Sequence, residues 1–223
     1  MAGWWQRHEH EHAVEHWRVE EQSWQAERQR LQEFVEVART FGGMGRGDDA
    51  RIPLELREGE RVYYIAVGVS LIEPRRLPSH WEGGYSGFSF PVARGVRWHV
   101  GGTRGHVVPG AEVPTPIDSG TATITDQRVV FQGTKQVREW DYAKLLGYQH
   151  DPAQPWTAIQ VSNRQKVAGI LYDRVHADEF QFRLALALAH YHHDVDGFVH
   201  QLEAQAAEQA EAEPRPPPPV GQG

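Results

Sequence analysis

The 223-residue chain is 39% hydrophobic, with 8 Trp, 7 Tyr and 8 Phe, enough for a substantial core, and it has no cysteine. That excludes disulfides, thiolate nucleophiles and cysteine-ligated zinc, and no apolar run approaches the roughly 18–20 residues of a membrane-spanning helix. The net charge of −7 divides as −3 over residues 1–42, +2 over 43–175 and −6 over 176–223, without the strongly basic stripe of a nucleic-acid binder.

Polar and charged residues begin at Gln6, leaving no signal-peptide apolar region, and a cytoplasmic protein is expected. Residues 1–42 read as one long amphipathic helix, rich in Glu, Gln, Arg and Ala and stopped by Gly42-Gly43. Trp17, Trp24, Leu31 and Ala38 recur every seven residues, a narrow apolar stripe of coiled-coil type interrupted at Glu21 and Arg28. Trp17, Trp24 and Leu31 are therefore the expected contacts for self-association or for a protein partner.

The same helix opens with the histidine-rich run RHEHEHAVEH, residues 7–16. On a helix His8, His12 and His16 share a face, and neutral imidazoles at i, i+4 spacing are able to bind a divalent metal. Nothing in the run supplies a second shell, and a solvated, titrating face is expected instead.

Residues 43–53, glycine-rich at their start, read as a hinge. A β-branched and aromatic run follows at 61–72, then a stretch punctuated by Gly and Pro at 74–119, with short strand candidates at 87–92, 96–100 and 106–108. Closely spaced strands are expected at 121–125, 128–132, 136–140, 145–149, 157–162 and 167–172, an antiparallel meander. Residues 176–212 read as helical, with Phe180, Leu184, Leu188 and Tyr191 at helical spacing and a break at Gly197. The last ten residues, PRPPPPVGQG, are expected to be a disordered proline-rich tail.

Leu56-Arg57-Glu58-Gly59-Glu60-Arg61-Val62, followed by Gly120-Thr121-Ala122-Thr123-Ile124-Thr125-Asp126-Gln127-Arg128-Val129-Val130-Phe131, resembles the bacterial pleckstrin-homology-like domains, akin to GRAM domains. The shared pattern is a "GE" opening, a "G-x-x-x-x-T-x-x-R-x-x-F" hairpin and a closing helix. Within it Gly120 is expected to permit a turn before a strand. Val129 and Phe131 are expected on one face, with Arg128 and Val130 on the other.

The resemblance implies an α+β fold: an antiparallel, bent sheet or partial barrel over 54–196, capped by a C-terminal helix and preceded by the long N-terminal helix. Residues 197–213 would form an acidic helical extension and 214–223 the tail. It also implies a non-catalytic domain that binds proteins or lipids, without a cofactor.

Other motifs are weaker. His190, His192 and His193 with Asp194 (HYHHD) form a second histidine cluster, and with the first they would serve a metal-binding protein or metal-dependent enzyme, the alternative reading. GYSGF at 84–88 fails the nucleophile-elbow pattern, because Phe88 stands where a glycine is needed. GGTRG at 101–105 lacks the Lys and helix of a phosphate loop.

The surviving constellation is Arg75, Arg76, Arg94, Arg97 and Arg104 with Trp81, in a segment where 74–111 hold five Arg and one Glu. Cationic loops carrying aromatics suit an anionic lipid headgroup surface. The expectation is an interaction module, an adaptor that docks peripherally on an anionic membrane.

Overall fold

The computed structural model describes residues 2–45, 52–76, 80–81, 88–93, 96–100, 107–108, 112–151 and 154–218, with backbone alone at 2–4, 6–7 and 76–108. The chain divides into two compact units, Met1–Phe41 with His192–Gly223, and Gly42–Tyr191. Among the described residues no helix is long and apolar enough to cross a membrane.

The first unit is a helical pair, α1 (Ala2–Thr40) and α3 (Val195–Glu211). A 39-residue helix is about 58 Å long and a 17-residue helix about 25 Å, so α3 covers only part of α1. The apolar stripe of α1 meets α3 of the same chain: Trp24 and Ala38 are buried, Trp17 and Leu31 half-buried. Val199 and Leu202 are the buried residues of α3, with Val195, Ala206 and Gln209 half-buried at the same three- and four-residue spacing. Arg39 pairs with Glu203 across the two helices.

The second unit is a seven-stranded antiparallel sheet with a helix. Its strands are β1 (Val62–Arg76), β6 (Glu112–Thr125), β7 (Arg128–Gly133), β8 (Val137–Asp141), β9 (Leu145–His150), β10 (Trp156–Val161) and β11 (Ala168–Leu171). They lie in the order β8-β7-β6-β1-β11-β10-β9, so the first strand is central and joins a four-strand meander to a three-strand one. Between β1 and β6 the chain carries short strands, β2 (His80–Trp81) paired with β5 (Val107–Val108), and β3 (Phe88–Ala93) paired with β4 (Val96–Val100). Helix α2 (Arg174–Tyr191) follows β11 and buries Phe180, Phe182, Leu184, Leu186, Ala187 and Leu188. Tyr172 and Tyr64 hold the Phe180 ring at 4.6 and 6.5 Å between centroids. Phe180, Phe131, Trp140, Leu71 and Ile124 are all essentially inaccessible, each contributing about 1.5–3 kcal/mol of burial.

Two sequence expectations are corrected here, and a third observation goes beyond them. The helix breaks at 192–194 instead of at Gly197, because His193 takes a left-handed conformation (φ 57°); Gly197 sits in the first turn of α3, where its missing side chain costs little. Gly120 is no turn residue: β6 begins at Glu112, and Gly120 lies opposite Gly133, whose Cα would be 2.6 Å from any added Cβ. Finally, β7 is buried on both faces from Arg128 to Phe131. Its outer face is crossed by the segment 53–57, with Gln132 donating to Pro53 O (2.9 Å) and Arg128 to Glu55 O (3.1 Å).

Part of the glycine-rich segment expected to be a hinge is tied down: Met44 exchanges two backbone hydrogen bonds with Val62 (2.8 and 2.7 Å). In the proline-rich segment Pro214 accepts a hydrogen bond from Trp17 Nε1 (3.1 Å).

Candidate functional site

The residues of the "GE" and "T-x-x-R" patterns meet in one buried cluster. Arg128 donates through Nε to Glu60 Oε1 (2.8 Å) and through Nη2 to Glu60 Oε2 (2.9 Å). Thr125 Oγ1 donates to Glu60 Oε1 (2.8 Å) and accepts from the N–H groups of Gln127 and Arg128. The Arg57 N–H adds a bond to Glu60 Oε2 (2.7 Å), and Arg128 Nη1 reaches Glu139 (2.9 Å). Burial pushes the Glu60 carboxyl up, but these donors outweigh it and hold the group below its ordinary value. The buried groups of the cluster bind one another and hold the hairpin closed, which reads as a structural role.

The opposite end of the sheet is different. Residues 112–118 pair only with β1, so β1 and β6 run on together as a two-stranded ribbon beyond the level of β7, and the segment 77–111 joins its strands. Arg75 is exposed on this ribbon, opposite Val113, with no ion pair among the described residues. Arg76, Trp81 and Arg97 lie in β1, β2 and β4, where only backbone is described; Arg94 and Arg104 lie outside the described residues. The GGTRG stretch and all of GYSGF except Phe88 also fall outside them.

Four cations that the sequence pattern did not single out gather at the ribbon's root. Arg138 holds Glu73 Oε1 through Nε (2.9 Å) and Nη2 (2.7 Å). Lys166 lies 3.6 Å from Glu112. Arg164 sits over the Trp140 ring (6.0 Å to the centroid), with Nη1 buried and unpartnered, and burial with the nearby Arg138 charge lowers its pKa. Lys135 occupies the β7–β8 turn, where its N–H binds Asp118. The signal for Arg164 and Lys166 was their place in the Asn163–Lys166 hairpin loop, which the topology turns to the same end as the insert.

Among the described residues the acids at this end are all occupied. Glu73 and Glu112 are paired as above, and Asp118 accepts from Ser119 N, Thr134 Oγ1, Lys135 N and Gln136 N. Burial raises the Asp118 pKa, the four hydrogen bonds lower it further, and the net direction is down. Among the described residues the free charge at this end is therefore positive.

The histidines do not assemble. His8 and His12 touch, Nε2 to Nε2 at 3.3 Å, whereas His16 turns to Glu20 at 3.4 Å. In HYHHD, His190 stacks against Tyr63 (5.2 Å) with Nε2 buried and unpartnered, while His192 and His193 lie in the exposed turn and Asp194 stands at the start of α3. Among the described residues no three His, Cys, Asp or Glu side chains are grouped to hold a metal ion. Trp17, Trp24 and Leu31 face α3 and the segment that follows it, as described above.

No family model, no curated protein and no solved structure matches the chain.

Proposed function

We propose that the chain is a non-catalytic interaction module of pleckstrin-homology-like type, whose insert-bearing end docks on an anionic lipid surface. The carrying observation is the pair of cations around the ribbon, Arg75 and Lys135, that make no ion pair among the described residues, with the acids Glu73, Glu112 and Asp118 already bound. The strand order supports the fold reading, since a first strand pairing with both the second and the last, followed by a helix, is what the resemblance implies. Residues 74–111, with five Arg against one Glu, join the same end by chain connection. Each basic residue near an anionic leaflet contributes about 1 kcal/mol, so four or five give useful attraction that falls with salt.

Co-sedimentation with vesicles of anionic and of neutral lipid, at low and physiological salt, tests this. Binding is expected to anionic vesicles only and to weaken with salt. Arg75→Glu with Arg76→Glu, or Lys135→Glu with Lys166→Glu, should each reduce it by more than the roughly fivefold loss per cation removed. Equal binding to neutral vesicles, or no binding at low salt, would overturn the proposal and turn the search toward an adaptor role with protein partners.

A further inference from the structure

The segment after α3 does not leave the helical pair. Trp24 and Trp17, one heptad apart on α1, each donate their indole N–H to a main-chain carbonyl of the C-terminal segment. Trp24 Nε1 reaches Gln209 O at 2.6 Å, and Trp17 Nε1 reaches Pro214 O at 3.1 Å. Gln209 is one of the last four residues of α3, its carbonyl also accepting the Ala212 N–H that caps the helix (3.3 Å), and Pro214 lies in a stretch that supplies acceptors and almost no donors. An indole N–H beside a flat apolar ring matches both halves of such a ligand, the carbonyl and the pyrrolidine face.

The burial pattern follows a three-residue period. Pro214 and Pro217 are half-buried, whereas Arg215, Pro216 and Pro218 are exposed, as expected for a polyproline II strand with one edge seated. From Pro214 to Pro217 such a strand advances about 9 Å, which spans about six residues of an α-helix. Starting from Trp17 and running antiparallel, that passes Val14 and ends within one residue of His10. Those two are half-buried, while Glu9, Glu11, His12 and Ala13 are exposed. Position 10 also continues the heptad of 31, 24 and 17.

We infer that the stretch of α1 from His10 to Trp17 is a receptor face for proline-rich segments in the polyproline II conformation, and that residues 214–218 of the same chain occupy it. The partner this face fits is therefore a proline-rich strand supplied in trans, which must displace the chain's own. A tethered occupant is present at an effective concentration of about millimolar, so a free peptide competes with it poorly. Flanking the face is a shallow groove of about 390 Å³ lined by Trp24, Gln25, Arg28, Gln29, Gln32 and Glu213, open to further residues of the incoming strand.

The test uses a labelled, acetylated peptide of residues 213–223 and the full chain carrying Pro214→Ser, Pro216→Ser, Pro217→Ser and Pro218→Ser. Fluorescence anisotropy should show saturable binding to this variant, at least tenfold weaker binding to the unsubstituted chain, and loss of binding when Trp17→Leu is added. Far-UV circular dichroism confirms that each variant keeps its helices. A tail-substituted chain that keeps its helix content and fails to bind would overturn the inference. So would binding indifferent to Trp17→Leu, and equal binding to both chains would show that the tail does not occupy the face.

Discussion

Arg128 grips Glu60 at two points, Nε to Oε1 and Nη2 to Oε2, across 68 residues of sequence. The carboxylate is fully enclosed and the guanidinium nearly so. Water cannot replace either partner, so removing one strands the other. Glu60→Ala should therefore cost about 3–5 kcal/mol in denaturant unfolding. Replacing both, with Glu60→Leu and Arg128→Met, should cost less than the sum of the single changes, because no unpaired charge remains.

The same pair sets an acid limit. The folded-state pKa of Glu60 lies below its ordinary value, so the unfolded chain takes up the proton first. Its stabilisation is complete above the ordinary glutamate range near 4.3 and is lost as pH falls through the lower folded value. In Glu60→Gln the stability curve should be flatter over that acid window; an unchanged slope would mean another carboxylate governs it.

At the β7–β8 turn, the Asp118 carboxylate gathers three backbone N–H groups and the Thr134 hydroxyl, and Gly133 leaves the room for it. Asp118→Ala should lower the thermal midpoint more than Asp118→Asn, which keeps one acceptor oxygen. Gly133→Ala should be comparably damaging, because its added carbon falls on the carboxylate and on Phe131 Cε1 (2.6 Å). Differential scanning calorimetry of the three variants orders them.

Much of the meander was legible because its strands alternate and its turns carry Asp126-Gln127 and Gly133-Thr134. The ribbon was not. Pro74, Pro114 and Pro116 argue against strands, yet Pro74 and Pro114 sit where β1 and β6 pair only with each other, and Pro116 lies on the β6 edge that β7 has not yet joined, where a missing N–H on the open side breaks no ladder. The site divides the same way. Arg75 was visible as part of a cationic stretch, but Arg138, Arg164 and Lys166 are scattered along the chain and come together only through strand order. The Glu60–Arg128 pair was visible as a motif without its partnering. Nothing local in Trp17 and Trp24 says that the tail and α3 of the same chain will meet them.

Histidine protonation should act on the acidic side of pH 7. His150 Nδ1 meets Thr157 Oγ1 at 2.7 Å; Thr157 meets the Tyr172 hydroxyl at 2.8 Å, and Gln181 Nε2 donates to that hydroxyl at 3.1 Å. With His150 neutral and accepting, all the protons point one way along this chain; protonating Nδ1 forces it to reverse. Burial lowers the pKa of His150, and it also lowers that of His190 against the opposing pull of Asp126. Both folded values lie below the ordinary 6.5, so the unfolded chain binds the extra protons and stability falls as pH drops below about 6.5. His150→Asn with His190→Asn should flatten that decline, and NMR titration should place both rings below the ordinary histidine value near 6.5.

The stripe on α1 raises the choice between pairing within the chain and pairing between copies. Trp24 is 9% exposed, and its indole N–H is satisfied by Gln209 O, so the position is filled within a single chain. Trp24→Phe should lose about 1 kcal/mol, the net value of one hydrogen bond, whereas Trp24→Glu buries an unpaired carboxylate between α1 and α3. The glutamate variant is expected to lose helical circular dichroism while light scattering returns the same mass as the parent, 25.3 kDa. A parent of twice that mass, halved by Trp24→Glu with helix content preserved, would instead make the stripe a contact between copies and leave α3 as its secondary partner.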